Sequence, residues 1–76
     1  MNKSIIRITT PFIRLDDLLK LSGVTVTGGQ AKLKIQAGEV KVNGEICQQR
    51  GKKLKNGDVI EVDAEQIVVV QEASGP

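Results

Sequence analysis

The feature that most constrains the fold is a helical stretch that ends at a glycine and leads directly into a β-hairpin. From residue 28 the sequence reads GGQAKLKIQAGEVKVNGE. Ala31 and Ile35 are one helical turn apart and share a face, and Gly38 ends the helix. The residues then alternate with period two as far as Asn43-Gly44, the strongest short-range hairpin signal. The stretch predicts a short helix followed by an antiparallel strand pair.

A strand and a first helix are predicted before this stretch. SIIRIT alternates so that Ile6 and Ile8 share one face, and Pro11 then ends the strand because proline donates nothing to a ladder. Asp16 is a suitable N-cap for a helix that ends at Ser22-Gly23. These signals place one strand or arm and one short helix on the N-terminal side.

The second helix has a predicted cap of its own. Thr27 and Gln30 have the spacing of a capping box. Lys32 and Lys34 lie on either side of the buried stripe, roughly 160° apart around the helix. We therefore do not expect these two lysines to contact the same ligand.

Strand and turn signals continue towards the C-terminus. The return strand of the hairpin, residues 45–48, is expected to turn Ile46 inward. RGKKLK forms a connector, Asn56-Gly57 turns the chain, and VIEV and QIVVVQ give two strands across a DAE turn. Residues 73–76 are expected to form a frayed tail. The predicted fold class is α+β, with a strand or arm, two short helices and then a small antiparallel sheet with a hairpin.

Length and composition predict one small soluble domain spanning residues 1–76. A chain of this size buries only about 60% of its extended surface, so nearly every aliphatic side chain is needed in the core. Cys47 is the only cysteine, which excludes an internal disulfide and favours a reducing compartment. The sequence shows no signal-peptide pattern and no apolar run of about 20 residues. We expect a cytoplasmic monomer without a membrane partner.

The charges are segregated along the sequence. Residues 18–55 carry eight basic and two acidic side chains, a net charge of +6, although the whole chain carries only +2. Residues 56–76 carry five acidic side chains and no basic one. This pattern favours a surface that binds a polyanion, whereas an ordinary mixed surface is the simpler interpretation of the total charge alone.

The inventory of side chains argues against catalysis and against a metal or other cofactor. The chain has no histidine and no tyrosine, which removes the commonest general base and a phenolic acid. One cysteine without histidine cannot form a zinc site. Asp16 and Asp17 are adjacent on a helix and do not face each other, so they favour the helix start rather than acid–base chemistry.

Gly28-Gly29 at the start of the second helix has two interpretations. A helix N-terminus offers free N–H groups and a partial positive charge, and glycines let a phosphate approach the backbone. Alternatively, both glycines serve close packing of this helix on its neighbour. GGQAK does not match the GxxxxGK[ST] pattern of nucleotide-binding loops, so ATP and GTP are not expected ligands.

The segment RGKKLK, residues 50–55, is the strongest local signal for a ligand. Four of its six residues are basic and none is acidic. Such a run is often only a solvated loop, but here Gly51 gives freedom to place Arg50, Lys52 and Lys53 on phosphates, with release of counterions. Phe12 is the only aromatic residue, so the chain offers no platform for stacking unpaired bases. Recognition of phosphates and shape, as in structured RNA, is the remaining mode.

Three stretches together resemble the S4 RNA-binding domain family, whose fold is also called the αL motif. They are RLDDLLKLSGV, TGGQAKLKIQAGEVKVNGE and KLKNGDVIEV, and the resemblance covers residues 12–62. It implies two helices and a β-hairpin in an L-shaped unit whose basic face binds structured RNA. The chain is most similar to the short, free-standing bacterial members of the YbcJ type, which implies rRNA or tRNA as the partner and a role with the ribosome.

The resemblance also implies a role for particular residues. Many family members begin the second helix with a Ser-Arg pair whose arginine meets RNA, and this sequence has Thr27-Gly28 there. Lys32 matches the basic residue after the family alanine, and we expect the basic segment 50–53 to compensate for the missing arginine. The predicted RNA-binding residues are Arg14, Gly28, Gly29, Gln30, Lys32, Lys34, Lys41, Asn43, Arg50, Lys52, Lys53 and Lys55.

Two other kinds of protein fit parts of the sequence. A β-grasp sulfur carrier or ubiquitin-like protein fits the length and the final strand, but such carriers end in Gly-Gly and begin with two strands. A protein-interaction module could use the acidic C-terminal third as its contact surface.

Overall fold

The computed structural model describes residues 2–72 and contains two helices and seven strands in that range. In chain order they are β1 (Asn2–Ile8), β2 (Ile13–Arg14), α1 (Leu15–Leu21), α2 (Gly28–Gln36), β3 (Lys41–Val42), β4 (Glu45–Ile46), β5 (Lys53–Leu54), β6 (Val59–Val62) and β7 (Glu65–Gln71). The predicted α+β class is confirmed. The predicted frayed tail, 73–76, lies outside the described residues. No helix between residues 2 and 72 is long and apolar enough to cross a membrane.

The main sheet has five strands in the order β1-β7-β6-β3-β4. Strands β7, β6, β3 and β4 pair antiparallel, as predicted, whereas β1 pairs parallel with β7 at one edge. From the sequence, β1 was expected only as a strand or arm before the helices, and its parallel pairing with β7 was not predicted. A parallel pair needs a long crossover, and both helices lie between these two strands in the chain. A separate two-stranded sheet joins β2 to β5 in antiparallel register.

The core lies between one face of the main sheet and the two helices. Alternate residues of the strands point to this face, and one stripe of each helix covers it. The buried apolar residues are Ile8, Leu15, Leu18, Leu19, Ala31, Ile35, Val40, Val42, Leu54, Ile60, Val62, Ile67 and Val69.

Not every aliphatic side chain is committed to the core, contrary to expectation. Ile5, Leu21, Val26 and Leu33 are exposed. Ile46 was expected to point inward, yet it is 61% exposed. The reason is the hairpin register, in which Ile46 is the cross-strand partner of Lys41 and so shares its outward direction.

Helix α1 is not capped by Asp16, and that prediction was wrong. The cap position is two residues earlier, at Arg14, which makes no side-chain hydrogen bond there, and the helix begins at Leu15. Instead, the N–H of Leu15 donates to the carbonyl of Lys52 at 2.9 Å and that of Asp16 to the carbonyl of Arg50 at 3.0 Å. The backbone of the basic segment thus satisfies two of the N–H groups that a helix start leaves free.

Helix α2 has the predicted cap in a modified form. The hydroxyl of Thr27 accepts from the N–H of Gln30 at 3.1 Å. The side-chain oxygen of Gln30 accepts from the N–H of Val26 at 2.8 Å, one residue before the cap. The helix end at Gly38 is confirmed, with φ of +77°. A Cβ on Gly28 would meet no atom of residues 2–72 within 4 Å, so this glycine does not serve close helix packing.

The hairpin turn is tied to the turn before β6. Asn43 and Gly44 have positive φ angles, as expected of an Asn-Gly hairpin. The side chain of Asn43 donates to Asp58 at 3.1 Å and accepts from the N–H of Val59 at 2.9 Å. The other oxygen of Asp58 accepts from the N–H of Lys55 at 2.7 Å. Asn43 and Asp58 therefore lock two turns together.

Thr25 provides a test of how the core is packed. It is only 4% exposed, and its hydroxyl has no hydrogen-bond partner among residues 2–72. Because a buried unpaired hydroxyl is costly, we expect Thr25→Val to raise the free energy of unfolding by up to about 1 kcal/mol, measured by urea denaturation. Thr25→Ser, which keeps the hydroxyl and loses a methyl group, should instead destabilise. A Thr25→Val variant less stable than the wild type would contradict the interpretation.

Candidate nucleic-acid interface

Four cations gather where the basic segment meets the start of α1. The segment predicted as a loop is partly a strand, since Lys53 and Leu54 form β5 and pair with Arg14 and Ile13 of β2. Together with the two hydrogen bonds to the start of α1, this pairing fixes the backbone of residues 50–54. We call Arg14, Arg50, Lys52 and Lys53 the α1 cluster.

Arg14 lies across the turn of the basic segment. A Cβ built on Gly51 would be 3.6 Å from Nη2 of Arg14, so the guanidinium covers this glycine. The same Nη2 lies 3.2 Å from Oδ2 of Asp16. The side chain of Arg14 is still 48% exposed, so its ion pair contributes little stability but fixes its direction. Arg14 thus presents a guanidinium at the surface beside Arg50 and Lys52.

Phe12 orients one of the lysines, which the sequence did not indicate. Nζ of Lys53 lies 4.9 Å from the centre of the Phe12 ring, a cation–π geometry. The two residues are far apart in sequence, and only the pairing of β2 with β5 brings them together. The only feature of the sequence that could have indicated this contact is that Phe12, the sole aromatic residue, lies two positions before Arg14.

The start of α2 is open to a ligand. Among residues 2–72 the N–H groups of Gly28 and Gly29 have no intrachain acceptor, and neither glycine is closely approached by core atoms. Gln30, by contrast, uses its side chain to bind the N–H of Val26. Lys32 is exposed one turn after Gly28 and forms no ion pair within the described part of the chain.

The C-terminal end of α2 is next to the chain leading into the α1 cluster. Gln36 lies one turn after Lys32. Its carbonyl accepts from Nε2 of Gln48 at 3.0 Å, and Gln48 begins the segment that runs to Lys52. The structure thus connects the end of α2, one turn beyond Lys32, with the segment that runs to Lys52.

Lys34 lies on the opposite flank of α2 and is neutralised within the chain. Its Nζ lies 2.9 Å from Oδ2 of Asp63 and 3.5 Å from Oε1 of Glu39. The hydrogen bond to Asp63 is the main cause that raises the pKa of Lys34 above its usual 10.5. These ion pairs argue against the predicted contact of Lys34 with RNA, and the proposal below omits it.

Three other predicted residues lie outside the α1 cluster. Lys41 points away from the core on the outer face of the sheet, where its cross-strand partners are Ile46 and Glu61. Asn43 uses both ends of its side-chain amide to hold Asp58 and Val59. Lys55 is exposed, and its N–H is bound to Asp58.

Comparison with known proteins identifies the family. The sequence model of the S4 domain matches residues 6–70. This chain belongs to the S4 domain family. The predicted resemblance and fold are confirmed, and the β-grasp alternative was wrong.

Several S4 relatives are similar over most of their length. The probable ribosome maturation protein RlbA of Bacillus subtilis is 45% identical over 58 residues, covering 76% of this chain and 82% of RlbA. YbcJ of Escherichia coli is 37% identical over 60 residues, covering 79% of this chain and 86% of YbcJ.

Solved structures give the same result. The solution structure of YbcJ, described as revealing an αL motif involved in RNA binding, matches with a TM-score of 0.65 and 33% identity. The match covers 92% of this chain and 87% of YbcJ. The 30S ribosomal protein S4e of Thermoplasma acidophilum matches with a TM-score of 0.54 and 26% identity, but this chain covers only 30% of it.

The ion pairs of Lys34 predict a pH-dependent stability. Replacing Lys34 by Met should lower the free energy of unfolding by about 0.5–1 kcal/mol at pH 7. Because the pKa of Lys34 is raised on folding, this stabilisation is complete below pH 10.5 and is lost as the pH rises through the folded-state pKa. Urea denaturation at pH 7 and above pH 11 measures the difference.

Lys20→Met provides the control for this measurement. Within residues 2–72 Lys20 pairs only with Asp17, at 3.6 Å on the same helix, and its replacement should change stability less than that of Lys34. A Lys34→Met effect that persists undiminished above pH 11 would mean that the charge of Lys34 is not its cause.

Proposed function

We propose that this protein binds structured RNA, ribosomal or transfer RNA, through the α1 cluster and the start of α2. The observation that carries the proposal is the fixed position of the α1 cluster. Main-chain hydrogen bonds from α1 and the pairing of β2 with β5 hold Arg14, Arg50, Lys52 and Lys53 in place. Because the backbone is already fixed, binding phosphates has to order only these side chains and not the segment that carries them.

Membership of the S4 domain family supports RNA as the polyanion. The description of YbcJ refers to RNA binding, and the name of RlbA refers to ribosome maturation. We propose that this chain likewise binds RNA and takes part in ribosome maturation, and that it acts on the ribosome or its precursor particles.

The mode of binding follows from the side chains that the surface offers. Arginine and lysine neutralise phosphates and release counterions. Phe12 is the single aromatic ring and has Lys53 over it, so the surface lacks the series of rings on which successive unpaired bases stack. Binding by phosphate contacts and by shape suits the A-form and folded regions of RNA.

We propose that the protein is a binding module without catalytic activity, a cofactor or a metal. The sequence contains no histidine and no tyrosine. Residues 2–72 contain no group of three or more histidine, cysteine, aspartate or glutamate side chains placed to hold a metal ion. A cytoplasmic monomer is part of the same proposal.

Removing the free cations of the α1 cluster should weaken RNA binding. The triple variant Arg50→Ala, Lys52→Ala and Lys53→Ala loses three phosphate contacts and is expected to bind an rRNA fragment at least about tenfold more weakly in 100 mM salt. Fluorescence anisotropy with a labelled RNA measures the dissociation constant.

A matched variant separates the surface from the net charge. Lys3→Ala, Arg7→Ala and Lys20→Ala removes the same charge from β1 and from the C-terminal turn of α1, and should bind much more tightly than the first variant. Circular dichroism confirms that both variants are folded. Equal affinities of a folded triple variant and the wild type would refute the proposed surface.

The salt dependence gives an independent estimate of the number of contacts. With about five cations engaged, the slope of log affinity against log salt should be roughly −3 to −5. The triple variant should have a slope smaller in magnitude by about 2–3. A slope near zero for the wild type would indicate that phosphates do not dominate binding.

A further inference from the structure

A groove lies between the β3–β4 hairpin and the segment that leads into the α1 cluster. Its volume is about 560 Å³, within the range of about 300–1,000 Å³ typical of small-ligand sites. Its lining combines apolar and polar side chains, namely Val42, Asn43, Glu45, Ile46, Cys47, Gln48, Gln49 and Lys52. Lys52 therefore belongs both to this groove and to the α1 cluster.

The polar side chains of the groove fall into two groups. Asn43 and Gln48 are engaged within the chain, with Asp58 and Val59 in the first case and with the carbonyl of Gln36 in the second. Within residues 2–72 the side chains of Glu45, Gln49 and Lys52 have no hydrogen-bond or ion-pair partner. The groove thus presents a free carboxylate, a free amide and a free ammonium group.

We propose that this groove binds one unpaired guanine of the RNA, with its phosphate on Lys52. The inference rests on the proposed function and names the nucleotide that the protein selects within structured RNA. It adds a contact to a base where the α1 cluster contacts only the backbone.

The carboxylate of Glu45 is the main reason for this assignment. Beside a surface that binds phosphates, a free carboxylate favours a ligand that brings hydrogen-bond donors, because it repels the phosphates themselves. Guanine is the base whose Watson–Crick edge carries two adjacent donors, N1–H and the N2 amino group, and the two oxygens of one carboxylate can accept both. Unpaired bases offer this edge, whereas paired bases do not.

The other groups of the groove suit a base as well. Val42 lines the groove and lies on the same face of the hairpin as Glu45, its cross-strand partner, so its exposed edge gives an apolar contact for the ring. Gln49 can donate to O6 or accept from an amino group. The carbonyl of Lys52 is bound to the start of α1 and its N–H donates to the carbonyl of Gln49 at 3.1 Å, so the backbone at this end of the groove is fixed.

The test compares RNA hairpins that differ in a single bulged nucleotide. Five labelled hairpins share one stem and carry a bulged G, A, C or U, or no bulge, and anisotropy gives each dissociation constant at one salt concentration. The wild type is expected to bind the G bulge about tenfold more tightly than the U bulge or the fully paired hairpin. Equal affinity for all five hairpins, or preference for another base, would overturn the proposal while leaving RNA binding intact.

Two variants with the same change of charge identify the recognising group. Glu45→Gln should reduce the preference for the G bulge to less than about threefold, without weakening binding to the paired hairpin. Glu61→Gln, which alters a carboxylate on the outer face of the sheet, should keep the preference of the wild type. A full preference in Glu45→Gln would overturn the role of Glu45.

Failure of the proposed function has a different signature. If the wild type binds none of the hairpins, RNA binding itself is refuted. If the triple variant of the α1 cluster loses affinity for all five hairpins together while Glu45→Gln loses only the preference for guanine, both the surface and the groove are supported.

Discussion

The rest of the structure depends on two main-chain hydrogen bonds, from the N–H groups of Leu15 and Asp16 to the carbonyls of Lys52 and Arg50. A helix start leaves four N–H groups free, and a side chain usually satisfies one of them. Here the basic segment does so with its backbone, which leaves its side chains free for a ligand. The buried Leu54 anchors the same segment in the core. The position of the cations is therefore coupled to the stability of α1, and the surface cannot rearrange without disturbing the fold.

Folding rearranges the charge pattern of the sequence in one important respect. The basic middle of the chain and its acidic end are not simply placed on opposite sides, because Lys34 crosses to the turn between β6 and β7 and pairs with Asp63. Lys32, two residues earlier on the other flank of the same helix, has no ion-pair partner among residues 2–72. Because of the helical period, the two lysines lie on opposite flanks of α2. Lys34 stabilises the fold through Asp63, and Lys32 is exposed to solvent. Charge counted along a sequence therefore overestimates the charge available for binding.

Patterns among neighbouring residues predicted several helix and hairpin features correctly. The features that were missed depend on pairing between segments that are distant in sequence. The period-three-to-four stripe of α2, its Thr27 cap and the Asn-Gly hairpin depend on neighbours in sequence, and all three were correct. The parallel edge strand β1, the outward Ile46 and the contact of Lys53 with Phe12 depend on registers between distant segments. For the candidate site, the sequence identified the basic segment but not the main-chain hydrogen bonds that hold it. Any residue can supply a main-chain carbonyl, so no residue type in the sequence indicates such a bond.

Two of the residues on which the family resemblance rests stabilise the fold rather than contact a ligand. Asn43 and Asp58 belong to the motifs that resemble S4 domains. Their side chains form the hydrogen bonds that hold two turns together. A group that satisfies the backbone has little left to offer a ligand. The selectivity that we propose therefore depends on side chains without a partner among residues 2–72, and Glu45 is such a group on the hairpin that Asn43 closes. A carboxylate there is unfavourable for generic phosphate binding, and it becomes favourable only when the partner brings hydrogen-bond donors of its own.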